Sequence, residues 1–388
     1  MNFVFISPHF PATCKNICKA LKNRGINVLG IADTPYAMLE PDLKAVLTDY
    51  YEVSDLHNTD ELARACGFFT YKYGKIDRVE SNNEYWLMTD AAIREMFNVF
   101  GKKPDELRYC IQKSLMKAKF IEAGITVARG RVLDNYQDAK NFVAEVGFPI
   151  VGKPDRGVGA SGTYKLESDA ELQAFFADKA DDTEYIFEEF ISGQIVTYDG
   201  IVDRNGEPVL AMSSVYGEGV MESVNSDNHI YFFTDRHIDP VIEEYGRRIL
   251  KTFDLKERFF HFEFFRTHND GKILALEVNC RAPGGFTMDM WNYACDTDVY
   301  GIYADLVAYG KTDISCERKY YSCHIGRKSN RNYQHSHGQI MNRFGHMVTN
   351  HMELPAVLAR AMGNYVYLIR ATEKNELMDA VNYILWLD

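Results

Sequence analysis

The sequence lacks the features that mark membrane, secreted and nucleic-acid-binding proteins. No apolar run reaches the roughly 18 residues that a membrane-spanning helix needs, and the opening MNFVFISPHF has neither a charged leader nor a long apolar core. An excess of positive charge is also lacking: 43 basic residues are outnumbered by 55 acidic ones, and the formal net charge of −12 argues against nucleic acid and anionic membrane surfaces as partners. We therefore expect a cytoplasmic protein that binds neither nucleic acid nor a membrane.

Paired cysteine motifs are missing as well. The eight cysteines are scattered, without the C-x-x-C spacing that indicates a zinc or redox site, so we expect reduced, buried thiols. Four histidines toward the C-terminus could suggest a metal site, but their polar and glycine-containing neighbours favour a solvated loop. The residues concerned are Cys14, Cys18, Cys66, Cys110, Cys280, Cys295, Cys316 and Cys323, and His335, His337, His346 and His351.

The chain is long enough for several domains. Its 388 residues, 46% hydrophobic and 25% charged, are typical of a globular protein with two or three cores. Residues 1–110 begin with a strand, a helix and a second strand, a βαβ unit that predicts a parallel sheet. We expect a compact α+β lobe at 111–195, a larger lobe at 196–310 and a small appended lobe at 311–388. The expected fold class is therefore multidomain, with α/β and α+β parts.

A glycine-rich loop follows a short apolar strand in the second segment. Residues 146–165 read VGFPIVGKPDRGVGASGTYK, where Lys153 closes the strand and Gly157, Gly159 and Gly162 lie in the loop. Glycine lets backbone N–H groups approach an anion closely, and the lysine adds positive charge beside them, so the segment predicts a phosphate site. It is neither a Walker A loop nor a Rossmann fingerprint. A glycine-rich hairpin with a solvated lysine is the alternative.

An acidic hairpin is predicted in the third segment. Residues 259–281, FFHFEFFRTHNDGKILALEVNCR, contain two β-rich runs joined by an Asn-Asp-Gly turn. A three-residue loop that ends in a left-handed glycine pairs His268 with Lys272. Counting back from that pair sets Glu263 opposite Glu277.

Alternation along the second strand of this hairpin assigns its side chains to two faces. Glu277, Asn279 and Arg281 share one face, with His261 opposite Asn279, and the other face carries Leu274, Leu276, Val278 and Cys280. Two opposed carboxylates repel each other, and a divalent cation between them removes the repulsion. Two glutamates and an asparagine amide suit Mg²⁺, while the arginine suits a phosphate or a carboxylate. An exposed polar face with a slipped register is the alternative.

Four segments, in this order, resemble the ATP-grasp superfamily, and more closely its carboxylate–amine ligases related to carbamoyl phosphate synthase large subunits and L-amino acid ligases. The segments are YCIQKSLMKAKFIEAGI, GFPIVGKPDRGVGASG, FEEFISGQIVTYDG, and HFEFFR followed by LEVNCRAPGG. The resemblance implies the ATP-grasp fold, with an N-terminal parallel-sheet domain, two ATP-binding lobes and a small C-terminal lobe. It also implies ATP and Mg²⁺ as cofactors.

The resemblance assigns roles to residues in each segment. Lys113 matches the first nucleotide-contacting lysine, with Lys117 one turn farther along a helix expected from Asp105 to Ala123. Lys153 matches the second such lysine, and the glycine loop matches a lid over the phosphates. The remaining matches are Gly157, Gly159, Ser161 and Gly162 for the loop, Glu188, Glu189, Phe190 and Ile191 for the adenine-binding hinge, Glu263, Glu277 and Asn279 for the metal, and Lys153 and Arg281 for catalysis.

One position departs from the family's pattern. Many members carry a ribose-binding glutamate shortly after the hinge glycine, where this chain has Gln194 and Ile195, so the ribose contact would fall to Gln194 or to another residue. Four further residues are candidates for substrate contact, because they lie at a strand end, on the predicted metal face or in a glycine loop that permits close approach. They are Glu84, His261, Gly284 and Gly285. A packed strand histidine is the alternative for the second of them.

Members of this superfamily transfer the γ-phosphoryl group of ATP to a carboxylate, and an amine then attacks the acyl phosphate. The resemblance therefore implies an ADP-forming ligase for small-molecule carboxylate and amine substrates, with an amino acid or small peptide as one of them. Two alternatives stay open: a carboxyphosphate-forming enzyme that activates bicarbonate, and a nucleotide-binding regulatory protein without turnover. A homodimer is one of the oligomeric states left open.

Overall fold

The computed structural model describes residues 1–157, 162–180, 182–217 and 229–387. The strands of these ranges form three sheets, and helices pack against them in layers. None of the helices in the described ranges is long and apolar enough to cross a membrane.

The N-terminal sheet is parallel, as the βαβ pattern predicts. Its strands are β1 (Asn2–Ile6), β2 (Asn27–Ala32), β3 (Asp49–Glu52) and β4 (Arg78–Glu80), and the helices of this part are α1 (Cys14–Asn23), α2 (Pro41–Val46), α3 (Thr59–Tyr73), α4 (Leu87–Met96) and α5 (Pro104–Ile111), with 3₁₀ turns at Tyr36–Met38 and Glu84–Trp86. The strand order is β3-β2-β1-β4. Strands β1 and β2 are almost wholly buried, as expected of parallel strands covered on both faces.

Helix α3 illustrates why these segments are helical. The side chain of Asn58 accepts hydrogen bonds from the backbone N–H groups of Asp60 and Glu61 and so caps the helix. Its buried residues Leu62, Ala65, Cys66 and Phe69 recur at helical spacing. Gly74, at φ 88°, ends the helix in a conformation that suits glycine.

A small antiparallel sheet carries the glycine-rich segment. Its strands are β5 (Gly130–Val132), β6 (Ile150–Pro154), β7 (Tyr164–Leu166) and β8 (Tyr185–Glu189), and the helices of this part are α6 (Lys113–Glu122), α7 (Tyr136–Val146) and α8 (Asp169–Asp178). The order is β5-β8-β6-β7. Met116 and Phe120 of α6 pack into the core beside the largest sheet, so this helix links the two sheets.

The largest sheet carries the acidic hairpin. Its strands are β9 (Gly193–Val202), β10 (Pro208–Met212), β11 (Ser214–Tyr216), β12 (Ile230–Thr234), β13 (Arg258–Thr267), β14 (Ile273–Asn279), β15 (Tyr321–Arg327), β16 (Val348–Glu353) and β17 (Tyr365–Ala371). The order is β14-β13-β9-β11-β12-β15-β17-β16, with β10 also paired to β9. The helices of this part are α9 (Pro240–Thr252), α10 (Thr287–Cys295), α11 (Val299–Tyr309), α12 (His337–Phe344), α13 (Ala356–Met362) and α14 (Lys374–Leu385).

The C-terminal strands extend this largest sheet. Strand β15 pairs with β12, β17 pairs with β15, and β16 pairs with β17. The tail expected to be a separate small lobe is therefore continuous with the sheet that carries the hairpin. The mixed α/β and α+β fold class is confirmed, while the residue boundaries of the domains stay a prediction.

The expectation that every cysteine is a reduced thiol is wrong for one pair. Cys295, the last residue of α10, forms a disulfide with Cys316, with their Cα atoms 5.5 Å apart. A separation of 21 residues in the sequence does not reveal that the chain returns to the end of this helix. The other six cysteines are free and buried, as expected.

The expected solvated loop holds for only some of the C-terminal histidines: His335 and His346 lie outside helices and strands, and His346 is exposed, whereas the other two lie in regular elements. His337 begins α12 and His351 lies in β16, and their Nδ1 atoms lie 2.9 Å and 2.7 Å from the hydroxyl groups of Tyr367 and Tyr365. His335 stacks on a tyrosine ring. In the part of the chain that the structure describes, no group of three or more His, Cys, Asp or Glu side chains could hold a metal ion.

Candidate active site

The acidic hairpin has the predicted register where it matters for the site. Strand β13 pairs with β14 so that Glu263 lies opposite Glu277 and His261 opposite Asn279. The prediction of an opposed carboxylate pair is confirmed. Both glutamates line one cavity.

The turn that was used to derive this register is different from the prediction. Lys272 pairs with Thr267 and not with His268. The backbone N–H of Thr267 donates to the carbonyl of Lys272 at 3.0 Å. A β-bulge then shifts the register between Glu263 and Phe264, which adds one residue on β14. The turn has four residues instead of the predicted three, and the extra residue of the bulge on β14 restores the predicted pairing of Glu263 with Glu277.

The bulge also corrects the predicted division of β14 into two faces. Leu276 was assigned to the apolar face with Val278, but it lines the cavity beside Glu277. Ala275, next to the bulge, donates its backbone N–H to the carbonyl of Thr126 at 2.8 Å. The alternation of side chains is interrupted because the extra residue changes the phase of the strand.

A cavity of about 630 Å³ lies between the small sheet and the hairpin. Its charged lining combines three lysines with four glutamates from distant parts of the sequence. They are Lys113, Lys117, Lys153, Glu188, Glu189, Glu263 and Glu277. Apolar side chains line it too, among them Phe120, Val151, Phe265 and Leu276. A cavity with an apolar part and clustered lysines can take a ligand that has an aromatic ring and several negative charges.

Glu188 holds two of the lysines. Its Oε1 lies 2.6 Å from Nζ of Lys117, and its Oε2 lies 2.8 Å from Nζ of Lys153. Burial alone would raise the pKa of Glu188, but the two lysines lower it to about 2. The carboxylate is therefore ionised and fixes both ammonium groups at the cavity. The resemblance assigned Glu188 to an adenine-binding hinge, whereas its side chain is committed to these lysines.

Lys113 reaches the cavity because the expected helix from Asp105 to Ala123 is interrupted. Helix α5 ends at Ile111, Gln112 has extended backbone angles, and α6 begins at Lys113. The N–H of Lys113 donates to the carbonyl of Asp155 at 2.9 Å. Its Nζ lies 3.4 Å from the carbonyl of Gly157. Both lysines that the sequence left as alternatives, Lys113 and Lys117, line the cavity.

The predicted hinge lines the cavity, but one of its side chains points elsewhere. Phe190, Ile191 and Gln194 are lining residues. The carboxylate of Glu189 lies 2.6 Å from a guanidinium nitrogen of Arg129, a pair in which the arginine side chain is 60% exposed. Only the backbone of Glu189 is therefore available as a hinge contact.

The side chain of Gln194, the predicted ribose contact, already makes one hydrogen bond within the protein, and His268 is a second candidate for that contact. The amide nitrogen of Gln194 donates to the carbonyl of Tyr216 at 3.0 Å. His268, which follows β13 directly, also lines the cavity, and its backbone N–H donates to the carbonyl of Ser192 at 3.0 Å. Sequence reasoning used His268 only to set the register of the turn and so missed it. Its position directly after a strand that carries a metal candidate was the available signal.

The charges of the opposed glutamates differ. Burial and the charges of Glu263 and Glu84 raise the pKa of Glu277 to about 7. For Glu263, burial acts to raise the pKa, but His261, Arg281 and Lys153 lower it below its ordinary value. A divalent cation between these carboxylates would relieve the repulsion that raises the first pKa. The oxygen donors of the two glutamates therefore fit Mg²⁺, and an amide oxygen suits the same ion. Asn279, however, is buried opposite His261 and does not line the cavity.

Arg281 meets a residue from the N-terminal part of the chain. One of its terminal nitrogens lies 2.6 Å from Oε2 of Glu84, and the other donates to the carbonyl of Ala282 at 2.9 Å. Glu84 begins the 3₁₀ turn that follows β4, at the carboxyl edge of the parallel sheet. Ligands bind at such an edge in open α/β sheets. Neither residue lines the cavity of the lysines, so the two lie beside it as a second polar element.

The remaining candidates fall into three groups. His261 is buried with both ring nitrogens next to carboxylates, so the substrate contact suggested for it is replaced by the packed alternative. Gly285 has φ 62°, a backbone conformation that favours glycine, and a Cβ there would also displace the flexible end of the Met362 side chain, whose methyl would lie 2.0 Å away. Gly284 has open space around it.

The predicted glycine loop is described only in part. Gly159 and Ser161 lie outside the described residues, whereas Gly157 and Gly162 flank that gap.

Comparison with known proteins gives a family match over the segments that build this site. Residues 146–289 match the model of the ATP-grasp domain. The L-arginine-specific L-amino acid ligase of Bacillus subtilis is 23% identical over 248 residues, which cover 59% of this chain and 59% of that enzyme. The carbamoyl phosphate synthase large chain of Acidobacterium capsulatum is 26% identical over 202 residues, covering 48% of this chain and 18% of that one.

The fold comparison covers almost the whole chain. The crystal structure of an L-amino acid ligase from Bacillus licheniformis superimposes with a TM-score of 0.74 at 12% sequence identity, covering 99% of this chain and 96% of the other. At that identity the likeness concerns the fold. The chain therefore contains an ATP-grasp domain, residues 146–289, and has the ATP-grasp fold.

Proposed function

We propose that this protein is an ATP- and Mg²⁺-dependent ligase that phosphorylates a carboxylate and joins it to an amine, releasing ADP and phosphate. The observation that carries the proposal is that three lysines and two opposed glutamates line one cavity. Such a cavity can hold a polyphosphate through its lysines and a divalent cation through its carboxylates. The ATP-grasp domain supports ATP as the polyphosphate.

The lysines and the hinge bind the nucleotide in this proposal. Lys113, Lys117 and Lys153 neutralise charge on the phosphates, and Glu188 keeps the last two in place. The apolar lining takes the adenine ring, and the backbone of Phe190 and its neighbours serves as the hinge. The ribose hydroxyls contact Gln194 and His268, since both line the cavity beside the hinge.

The acidic hairpin and the arginine that follows it act on the reacting groups in this proposal. Glu263, Glu277 and Asn279 would hold Mg²⁺, which would supply charge neutralisation beside the phosphates. Arg281 binds the substrate carboxylate and steadies the phosphoryl group as it transfers, because a guanidinium makes two parallel hydrogen bonds to either. The acyl phosphate must be shielded from water until the amine attacks it.

The ion pair between Glu84 and Arg281 supports an amino acid as a substrate. The arginine is suited to a carboxylate and the glutamate to an amino group, and the two lie 2.6 Å apart at the edge of the parallel sheet. A molecule that carries both groups can exchange this pair for two of its own. An amino acid or a small peptide has that chemistry. The similarity to an L-amino acid ligase agrees with it.

Product analysis tests the proposal directly. The protein is incubated with Mg-ATP and pairs of common L-amino acids, ADP and phosphate are measured, and products are identified by mass spectrometry. Release that requires a carboxylate and an amine, with an amide product, supports ligation. Release with bicarbonate alone would favour a carboxyphosphate-forming enzyme instead. Tight binding of ATP without release would favour a regulatory protein without turnover.

A further inference from the structure

Four polar side chains form a hydrogen-bonded chain that ends at one of the opposed glutamates. They are Thr197, Asp199, His261 and Glu263. Strand β9 pairs with β13 so that Thr197 lies opposite Glu263 and Asp199 lies opposite His261. Side chains two residues apart on a strand share a face, so these four occupy one face of two adjacent strands. Thr197 and Asp199 have no exposed surface, and His261 is 5% exposed.

The contacts run in one direction toward the cavity. The N–H of Ser214 donates to Oγ1 of Thr197 at 2.9 Å, and the hydroxyl of Thr197 donates to Oδ2 of Asp199. Oδ1 of Asp199 lies 2.7 Å from Nδ1 of His261, and Nε2 of His261 lies 3.1 Å from Oε1 of Glu263. Of the five residues in this chain of contacts, Glu263 alone lines the cavity.

The location of this polar chain is costly for stability. Thr197, Asp199 and His261 are all buried, so their polar groups are removed from water. A buried polar network contributes less to stability than a well-packed apolar replacement in many proteins. Its value lies in holding one arrangement of its members, because every bond fixes a side-chain rotamer. The member that reaches the site, Glu263, would otherwise have three side-chain torsions free to vary.

We propose that His261, anchored by Asp199, is a positioning residue that holds the Glu263 carboxylate in the orientation in which it binds the divalent cation. The inference rests on the proposed metal site, and it adds a residue to it that contacts neither cation nor substrate. One carboxylate oxygen of Glu263 bonds to the histidine, and the other is left for the cavity. Residues that hydrogen-bond to metal-binding carboxylates typically change metal affinity by about 10–100-fold when removed.

The test measures binding of Mn²⁺, used as a spectroscopic substitute for Mg²⁺, to the full-length protein with ADP present. Electron paramagnetic resonance reports free Mn²⁺ without any turnover. His261→Gln should weaken Mn²⁺ binding by about 10–100-fold and lower the rate of ADP release, with a smaller change in ADP affinity measured without metal. His324→Gln is the matched control, because His324 is also a buried strand histidine of this sheet with one hydrogen bond, to the carbonyl of Met362 at 3.0 Å. It should leave Mn²⁺ binding unchanged.

A second variant, Asp199→Asn, tests the same chain of contacts with a smaller structural change, so that misfolding of His261→Gln cannot account for both results. Asp199→Asn keeps the shape of the side chain but weakens the anchor of His261, so it should reduce Mn²⁺ affinity in the same direction and by less. The folded state of each variant is checked by circular dichroism and by its thermal midpoint. Equal Mn²⁺ affinity in wild type, His261→Gln and Asp199→Asn would overturn the inference.

A double-mutant cycle separates this inference from the proposed function. If His261 acts through Glu263, then adding His261→Gln to Glu263→Gln should cause little further loss of Mn²⁺ affinity. Full additivity of the two losses would overturn the positioning role and leave the metal site intact. Unchanged Mn²⁺ binding in Glu263→Gln alone would remove the metal site itself, and the proposed ligase mechanism with it.

Discussion

Replacing Glu188, whose carboxylate contacts both Lys117 and Lys153, is predicted to destabilise the protein far more than replacing the adjacent Glu189. Glu188→Gln keeps the size of the side chain and removes the charge between Lys117 and Lys153. Both ammonium groups are then left in a largely buried site without their shared partner. Breaking a buried ion pair from one side leaves an uncompensated charge, which typically costs about 3–5 kcal/mol.

The pKa of Glu188 gives an independent magnitude. A decrease from 4.5 to about 2 corresponds to about 3 kcal/mol of added stability for the charged form, at about 1.4 kcal/mol per tenfold change in proton affinity. A carboxyl group with a lowered pKa contributes its stability above pH 4.5 and loses it as the pH falls toward 2. The difference between wild type and Glu188→Gln should therefore be full at pH 7 and shrink steadily below pH 4.5.

The assay is urea unfolding followed by tryptophan fluorescence, with midpoints compared at equal slope. Glu189→Gln is the matched control. Its partner Arg129 is 60% exposed, and exposed pairs contribute about 0–1 kcal/mol. Equal destabilisation by the two substitutions, or a gap that does not narrow at low pH, would refute the reasoning. Because phosphates can replace the missing negative charge, Mg-ATP should raise the midpoint of Glu188→Gln more than that of wild type.

Three further predictions concern the site. Lys153→Met should raise the dissociation constant of ATP, measured by calorimetry, by about 10–100-fold, from the roughly 1.5–3 kcal/mol of a charge-assisted hydrogen bond; an unchanged constant would exclude phosphate contact. Arg281→Lys keeps the charge but loses the planar fork, and should slow ADP release by about 10²-fold, whereas full activity would contradict its role. Gly285→Ala forces a Cβ to 2.0 Å from the methyl of Met362 at a positive φ, and should cost about 1–3 kcal/mol in unfolding experiments. Adding Met362→Ala should recover part of that loss but not the backbone strain.

The opposed glutamates could be predicted because alternation and pairing are local properties of a hairpin. The turn and the bulge could not. The bulge in β14 accompanies a hydrogen bond from Ala275 to the carbonyl of Thr126, a residue far away in the sequence. The predicted pairing of Glu263 with Glu277 was correct because a turn that is one residue longer than predicted was offset by this bulge.

The break between α5 and α6 also depends on distant residues. Periodicity alone favours one helix through Gln112. The structure interrupts it where the Asp155 carbonyl accepts the N–H of Lys113, and the Asp155 side chain accepts the N–H of Ser114 at 2.7 Å. These bonds replace those of a continuous helix and direct Lys113 toward the cavity.

The roles taken from family resemblance depend on which way a side chain points. Glu188 and Glu189 alternate on β8, so one faces the lysines and the other faces Arg129. Their shared motif gives no indication of this difference, whereas strand geometry does. The joining of the C-terminal strands to the largest sheet is a further long-range feature, since their sequence reads equally well as a separate lobe.

Transfer of oxygen from substrate to phosphate tests the proposed acyl phosphate most directly. Common L-amino acids labelled with ¹⁸O in the carboxylate are supplied with Mg-ATP and an unlabelled amine, and the released phosphate is analysed by mass spectrometry. The proposal predicts one ¹⁸O atom in each phosphate released, since the carboxylate oxygen that attacks the γ-phosphorus leaves with it. Release of ADP with unlabelled phosphate would contradict carboxylate activation, and label appearing only from ¹⁸O-bicarbonate would contradict amino acids as the activated substrate.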